Sequence, residues 1–355
     1  MSKKIFVVSL ALCLMLIPVF SGITLAAPPH KDDPGGVSTV PTPQGEVEIY
    51  KKSPPRGDWP KMTITPKGPK PHAAQGKLGE ILPEVGKRYA ILVGISDYPG
   101  DYGWKPGCPG DGLDLWYAAD DAYLMAEILE TTYGFEIYGG TPLKNQAATR
   151  DAILTAIEEI KDEVEDDDEV VFYFSGHGAK LTSANKGQIG ILTWGVETSE
   201  ISYPEFISDK DLKTWFEGFE TDRIIFIFDC CLAGGMIDIG REGNVICMAS
   251  TQNGFAIEYG EDYKNCFDPP AEPIPGIGWV NHGLFTYLFA GYGIKYGVAD
   301  VYDHNEDGII GQVEDVTIEE AFDFTRLIME GISNSSPELW LIPTIGDRFK
   351  NDLLP

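Results

Sequence analysis

Two stretches hold residue types that could do covalent chemistry. One is VVFYFSGHG, which ends in His177 and Gly178; the other is RIIFIFDCCLAGG, which holds Asp229, Cys230 and Cys231. A thiol attacks as thiolate, so it needs a base or a cation beside it, and neutral imidazole is the base that works near neutral pH. Taken alone, His177 reads as a hydrogen-bonded loop histidine and Cys231 as a buried structural thiol. Taken together, each just past an unbroken apolar run and close to glycine, they read as a nucleophile and its base facing each other across one cleft. A second constellation lies in DHNEDGII. Asp303, Asn305, Asp307 and Gly308 occupy positions 1, 3, 5 and 6 of a calcium loop, with the Ile309 carbonyl at 7. Glu314 falls at position 12. If residues 311–316 are an insertion, Glu320 is the bidentate ligand instead. The competing reading of this stretch is an Asx-rich turn.

The elements that must position the first pair follow from the pattern. Residues 224–228 (IIFIF) and 170–174 (VVFYF) are short, apolar and rich in β-branched and aromatic types, which predicts buried central strands. Such strands deliver the residues that follow them to the carboxyl edge of a sheet, where ligands bind in open α/β sheets. Residues 89–93 (YAILV) read as a third strand, with 189–192 and 245–250 as further ones. Helices are predicted over 118–132, after the N-cap Thr149, after a capping box at Ser208, over 283–291, and over 317–332 behind a second capping box at Thr317. Strands alternating with helices of this length give an α/β fold with a largely parallel sheet. Asp121 falls at the start of the first helix, where a carboxylate also compensates the helix dipole.

The chain of 355 residues is long enough for one large core, and its formal charge of −28 predicts a surface that repels nucleic acid and attracts cations and basic peptides. Residues 1–27 have the lysines, apolar core and small-residue exit of a signal peptide. A secreted, extracellular or cell-envelope location is therefore expected, with no stable membrane insertion after signal removal. Residues 28–86 are rich in proline and glycine and read as a leader or linker, either a spacer or a pro-segment covering an active site. Residues 87–355 then form the folded domain, with the calcium loop at 303–320. Of the six cysteines, Cys13 leaves with the signal, so an odd number remains and at least one thiol stays free. Cys108 and Cys266 could pair.

The motifs together resemble the caspase-like cysteine peptidases, especially metacaspases and their prokaryotic relatives. The likeness runs through YAILVGISDY, AADDAYLMAEIL, VVFYFSGHG, ISDKDL, IIFIFDCCLAGG, ICMAST and NHGLFTYLF. The histidine precedes the cysteine by about the 50 residues that mark caspases. The resemblance implies a caspase-like fold with helices on both faces of a mostly parallel sheet. It implies a His177/Cys231 dyad, with the second cysteine of DCC as nucleophile and the backbone N–H groups of Gly178 and Cys231 as oxyanion donors. It also implies that Asp121 and Asp229 line a pocket selecting Arg or Lys before the scissile bond. No cofactor is needed for such catalysis, and the partner is a peptide or protein substrate. The family often has His-Ser-Gly after the cysteine, where Leu232, Ala233 and Gly234 stand here. Calcium activates many metacaspases, and Arg241 and Lys264 are candidate self-cleavage points. Two other readings stay open: a catalytically silent, calcium-stapled envelope or binding protein on the same fold, and an Asn-specific legumain-like peptidase.

Overall fold

The apolar runs form the middle of the central sheet. The computed structural model describes residues 37–50, 86–99, 113–182, 188–195, 203–241, 243–251, 254–265, 272–274, 277–301, 303, 307–335 and 341–349. The expected signal peptide, most of the expected leader, Cys108, Cys266 and Asn305 lie outside the described residues. The chain begins with strands β1 (Val37–Thr42), β2 (Gly45–Tyr50) and β3 (Arg88–Gly94), then helix α1 (Ala118–Tyr133). Short strands β4 (Glu136–Ile137) and β5 (Leu143–Lys144) lead to α2 (Arg150–Glu163), β6 (Glu169–Ser175), β7 (Gly178–Leu181), β8 (Ile189–Thr193) and β9 (Glu205–Ser208). Next come α3 (Asp209–Phe216), β10 (Ile224–Asp229), β11 (Asn244–Met248), β12 (Glu258–Tyr259) and β13 (His282–Gly283). The short α4 (Leu284–Thr286) runs into a π-helical stretch over Tyr287–Ile294, and α5 (Ile318–Ser335) and β14 (Thr344–Asp347) follow.

The central sheet has the order β14-β11-β10-β6-β3-β4, with β5 also on β3. All its pairs are parallel except that of β14 with β11. Every residue of β6 and β10 is buried, as a strand covered on both faces requires. Adjacent residues of β6 show the two covers, because side chains alternate across a strand. The Phe172 ring meets Phe216 of α3 edge-on at 5.6 Å, and the next residue, Tyr173, shares a 2.6 Å hydrogen bond with Thr286 of α4. Helices therefore lie on both faces, as expected. The predicted caps are present. Thr149 accepts the Ala152 N–H at 3.1 Å, and Ser208 and Asp211 close a reciprocal capping box. Thr317 and Glu320 form another at the head of α5.

A second, antiparallel sheet has the order β1-β2-β7-β8-β9. Residues 37–50, expected to be part of a leader or linker, instead supply its β1–β2 hairpin. The pattern explains the difference: in GEVEIY, Val47 and Ile49 are fully buried while Glu46 and Glu48 alternate with them. An isolated hairpin is marginal in water, but burying a Val or Ile side chain stabilises by about 1.5–3 kcal/mol, so docking on β7 makes this one stable. The surrounding prolines mask that alternation in the sequence. The hairpin pairs Tyr50 with Gly178, the residue after His177.

Candidate active site

Strands β6 and β10 are neighbours, and their register ends on Ser175 opposite Asp229. His177 and Cys231 each lie two residues beyond that last pair, so they leave adjacent strands at one edge. Gly178 packs on the turn that carries the cysteine. A Cβ there would stand 1.6 Å from the Cys231 carbonyl oxygen, so the close approach of the two backbones admits only glycine. After the cysteine the chain turns sharply, with Leu232 in the left-handed region at φ +60°. The Leu232 N–H to Gly254 carbonyl bond (2.9 Å) and the Ala233 N–H to Ser250 Oγ bond (3.0 Å) hold that turn.

The imidazole of His177 is held on two sides. Its ring lies against Tyr98 at 5.0 Å, and its backbone N–H donates to the Tyr98 hydroxyl at 2.9 Å. Its Nε2 stands 2.6 Å from the carbonyl oxygen of Leu113. A carbonyl can only accept, so Nε2 carries the proton and the basic lone pair of the neutral ring is on Nδ1. The sulfur of Cys231 accepts the Ala256 N–H at 3.2 Å and its S–H is directed at the Ala256 carbonyl at 3.7 Å. Both side chains are buried, His177 at 1% and Cys231 at 0% exposure. The segments around Leu113 and Ala256 pack directly on them.

One carboxylate joins those two segments. Glu258 Oε1 accepts the Trp116 N–H at 2.9 Å and Oε2 the Tyr117 N–H at 3.1 Å, and Tyr263 donates its hydroxyl to the same group. Sequence reasoning missed Glu258, Tyr98 and Leu113. Nothing in residue order links Glu258 to the Trp116 turn, and a backbone carbonyl leaves no mark in a sequence.

The two expected pocket acids are each held by hydrogen bonds. Asp121 and Asp229 are both fully buried. Asp121 accepts from Ser175 Oγ at 2.7 Å, from the Gly283 N–H at 2.9 Å and from His282 Nδ1 at 3.0 Å. Asp229 accepts from the Thr286 N–H at 3.1 Å and the Thr286 hydroxyl at 2.7 Å. Burial pushes the Tyr173 phenol well above its ordinary value, and the charges of Asp121 and Asp229 push it further. Asp120 is the more exposed neighbour. Arg241 is tied down, donating to the carbonyls of Phe219 (3.1 Å) and Thr221 (2.7 Å) and pairing with Asp222 at 3.1 Å. Cleavage after it would need local unfolding. The side chain of Lys264 lies outside the described residues.

The acidic loop is remote in sequence from this edge and is built from its own neighbours. Asp303 accepts the N–H groups of Asp307 (3.0 Å) and Gly308 (2.7 Å), and Asp307 accepts that of Ile309 at 2.8 Å. Gly308 has φ +81°, a left-handed conformation that favours glycine. Ile309 and Glu314 are exposed. Glu320 accepts backbone N–H groups from Val301 and Thr317, so its carboxylate serves the cap of α5. Among the described residues, no group of three or more His, Cys, Asp and Glu side chains is gathered to hold a metal ion.

With this geometry in view, residues 87–272 match the family model of the caspase domain, Peptidase_C14. That is more than half of the chain, and the chain belongs to this family of cysteine peptidases. Metacaspase III c of Phaeodactylum tricornutum is 27% identical over 166 residues, which cover 44% of this chain and 45% of that protein. The chain thus spans less than half the length of this curated relative. A crystal structure of a Geobacter sulfurreducens protein superimposes with a TM-score of 0.44 at 14% identity, over 74% of this chain and 93% of the other. No helix among the described residues is long and apolar enough to cross a membrane.

Proposed function

We propose that the protein is a secreted cysteine endopeptidase that cleaves after Arg or Lys with Cys231 as nucleophile and His177 as its base. The observation that carries the reading is the exit of both residues from paired strand ends, with the His177 proton fixed on Nε2 by the Leu113 carbonyl. Nδ1 then takes the thiol proton as Cys231 sulfur bonds to the peptide carbonyl carbon. The backbone N–H groups of Gly178 and Cys231 serve the oxyanion. The tetrahedral intermediate collapses to a thioester as His177 gives that proton to the departing amine. Water, deprotonated by His177, then cleaves the thioester and restores the thiol.

The preference for a basic side chain is supported by two buried carboxylates near the same edge, since a desolvated acid pair attracts a cation far more strongly than it would in water. An Asn-specific pocket has no use for such a pair. Secretion rests on residues 1–27. Calcium binding by Asp303, Asn305, Asp307, the Ile309 carbonyl and Glu314 is supported by the folding of the Asp303 carboxylate onto Asp307 and Gly308. A bound cation there would supply a structural staple.

The test is hydrolysis of fluorogenic peptides ending in Arg, Lys, Asn or Asp, with and without calcium, by the chain lacking residues 1–27 and by its Cys231→Ala variant. Cleavage after Arg and Lys by the parent alone is expected. Activity surviving in Cys231→Ala, or a preference for Asn, would overturn the reading, and no cleavage of any peptide would favour a silent binding protein.

A further inference from the structure

We propose that His282 is a specificity-determining residue: its imidazole competes with a basic substrate side chain for Asp121, so that protonation of the ring weakens cleavage after Arg and Lys. The inference rests on the reading of Asp121 as a pocket acid. A carboxylate has about four acceptor sites. Three described donors already meet Asp121: Ser175 Oγ, the Gly283 N–H and His282 Nδ1. Of these, Ser175 and Gly283 are buried and electrically neutral at every pH. His282 is the one that can carry charge, and its side chain is 23% exposed while Asp121 is fully buried. The ring is therefore a partly exposed group in direct contact with a buried acid.

The ring is held there by the fold. Strand β13 pairs His282 with Tyr259 of β12, and the preceding Asn281 adopts a left-handed φ of +53° while its side chain accepts the Glu261 N–H at 2.8 Å. On its other side the imidazole stacks on Tyr287 of the π-helical stretch at 6.4 Å and 22°. The charged groups around it are Asp121 and Asp120, both on α1, with Lys144 and Asp262 acting on Asp120 in turn. Desolvation raises the Asp120 carboxyl and the His282 charge lowers it, which places the imidazole beside both acids. Two acids facing one ring attract a substrate cation strongly when the ring is neutral. When the ring is protonated, it cancels one of those charges and donates to Asp121 more strongly. Histidine is the side chain whose ordinary charge change lies nearest neutral pH.

Hydrolysis of an Arg-ending peptide is measured from pH 5.5 to 8 for the parent, His282→Gln and His282→Ala. Titration of the His177/Cys231 pair is common to all three and cancels in the variant-to-parent ratio of kcat/KM. That ratio is expected to rise about tenfold as pH falls across the range, with the change in KM rather than kcat. A pH-independent ratio for both variants would overturn the proposal. Asp121→Asn separates the underlying reading: if it cleaves the Arg peptide as well as the parent does, the pocket assignment itself is wrong. If it loses Arg cleavage while the His282 ratio stays flat, only the role of His282 falls.

Discussion

The carboxyl edge of β6 and β10 and the turn at Asp303 both gather acids, and they do so by opposite means. At the sheet edge, Asp121 and Asp229 are fully buried and accept from Ser175, Gly283 and Thr286, which lie far along the chain. In the turn, Asp303 and Asp307 accept N–H groups within five residues of themselves, and Asp307 is exposed. A buried acceptor that loses its donor costs about 1–3 kcal/mol or more, whereas an exposed one turns to water. The sheet edge is therefore a cooperative arrangement in which each polar atom depends on tertiary structure. The turn is a local device that any short, glycine-bearing acidic loop could form.

The largest expected effect falls at the sheet edge. Cys231→Ala or His177→Ala should lower kcat/KM for an Arg peptide by about a thousandfold or more, because the two act as one unit. Cys230→Ala should retain activity. The reverse pattern in a side-by-side assay would move the nucleophile by one residue.

Asp229→Asn should cut Arg hydrolysis by about a hundredfold and lower stability by about 1–3 kcal/mol through its Thr286 contacts. Urea unfolding beside the kinetic assay checks both numbers. Unchanged Arg kinetics would mean that the buried acids serve structure alone.

Ile49→Ala tests the hairpin next to Gly178. The residue is fully buried, and the truncation should cost about 2–4 kcal/mol by urea unfolding. A loss of less than about 0.5 kcal/mol would show that β1 and β2 are not integral to the second sheet.

Glu169 gives a pH test away from the site. Burial raises its carboxyl from 4.5 to about 8, against the opposing pull of Arg88 and Arg223. The folded state then holds a proton that the unfolded state releases. This contribution is full below pH 4.5 and is lost as pH rises toward 8. Glu169→Gln should flatten that decline in a series of thermal melts, and an unchanged slope would show that Glu169 is ionised in the fold.

The smallest effect belongs to the turn. Asp307→Ala should abolish any calcium-dependent rise in Tm, a shift of a few degrees at millimolar calcium, while iodoacetamide modification of Cys231 proceeds as in the parent. Calcium stabilisation that survives the substitution would place the cation elsewhere.

Much of this architecture is legible in residue order. The runs IIFIF and VVFYF and the caps at Thr149, Ser208 and Thr317 depend on neighbours within a few positions, and each has its expected local form. The hairpin at residues 37–50 carried a readable alternation that proline-rich flanks obscured. Other parts of the site were beyond such reading. The Leu113 carbonyl that fixes the His177 tautomer and the Ala256 N–H that meets the Cys231 sulfur are backbone groups, which every residue type except proline's missing N–H supplies equally. The contact of His282 with Asp121 joins residues 161 positions apart in the chain.

What the sequence by itself determined were the elements and the kinds of chemistry available, because periodicity, capping and residue type act over short range. Which donor meets which acceptor at the sheet edge, and which ring nitrogen holds the proton, was decided only by the tertiary structure. There the need to pair every buried polar group selects partners that chain order does not name.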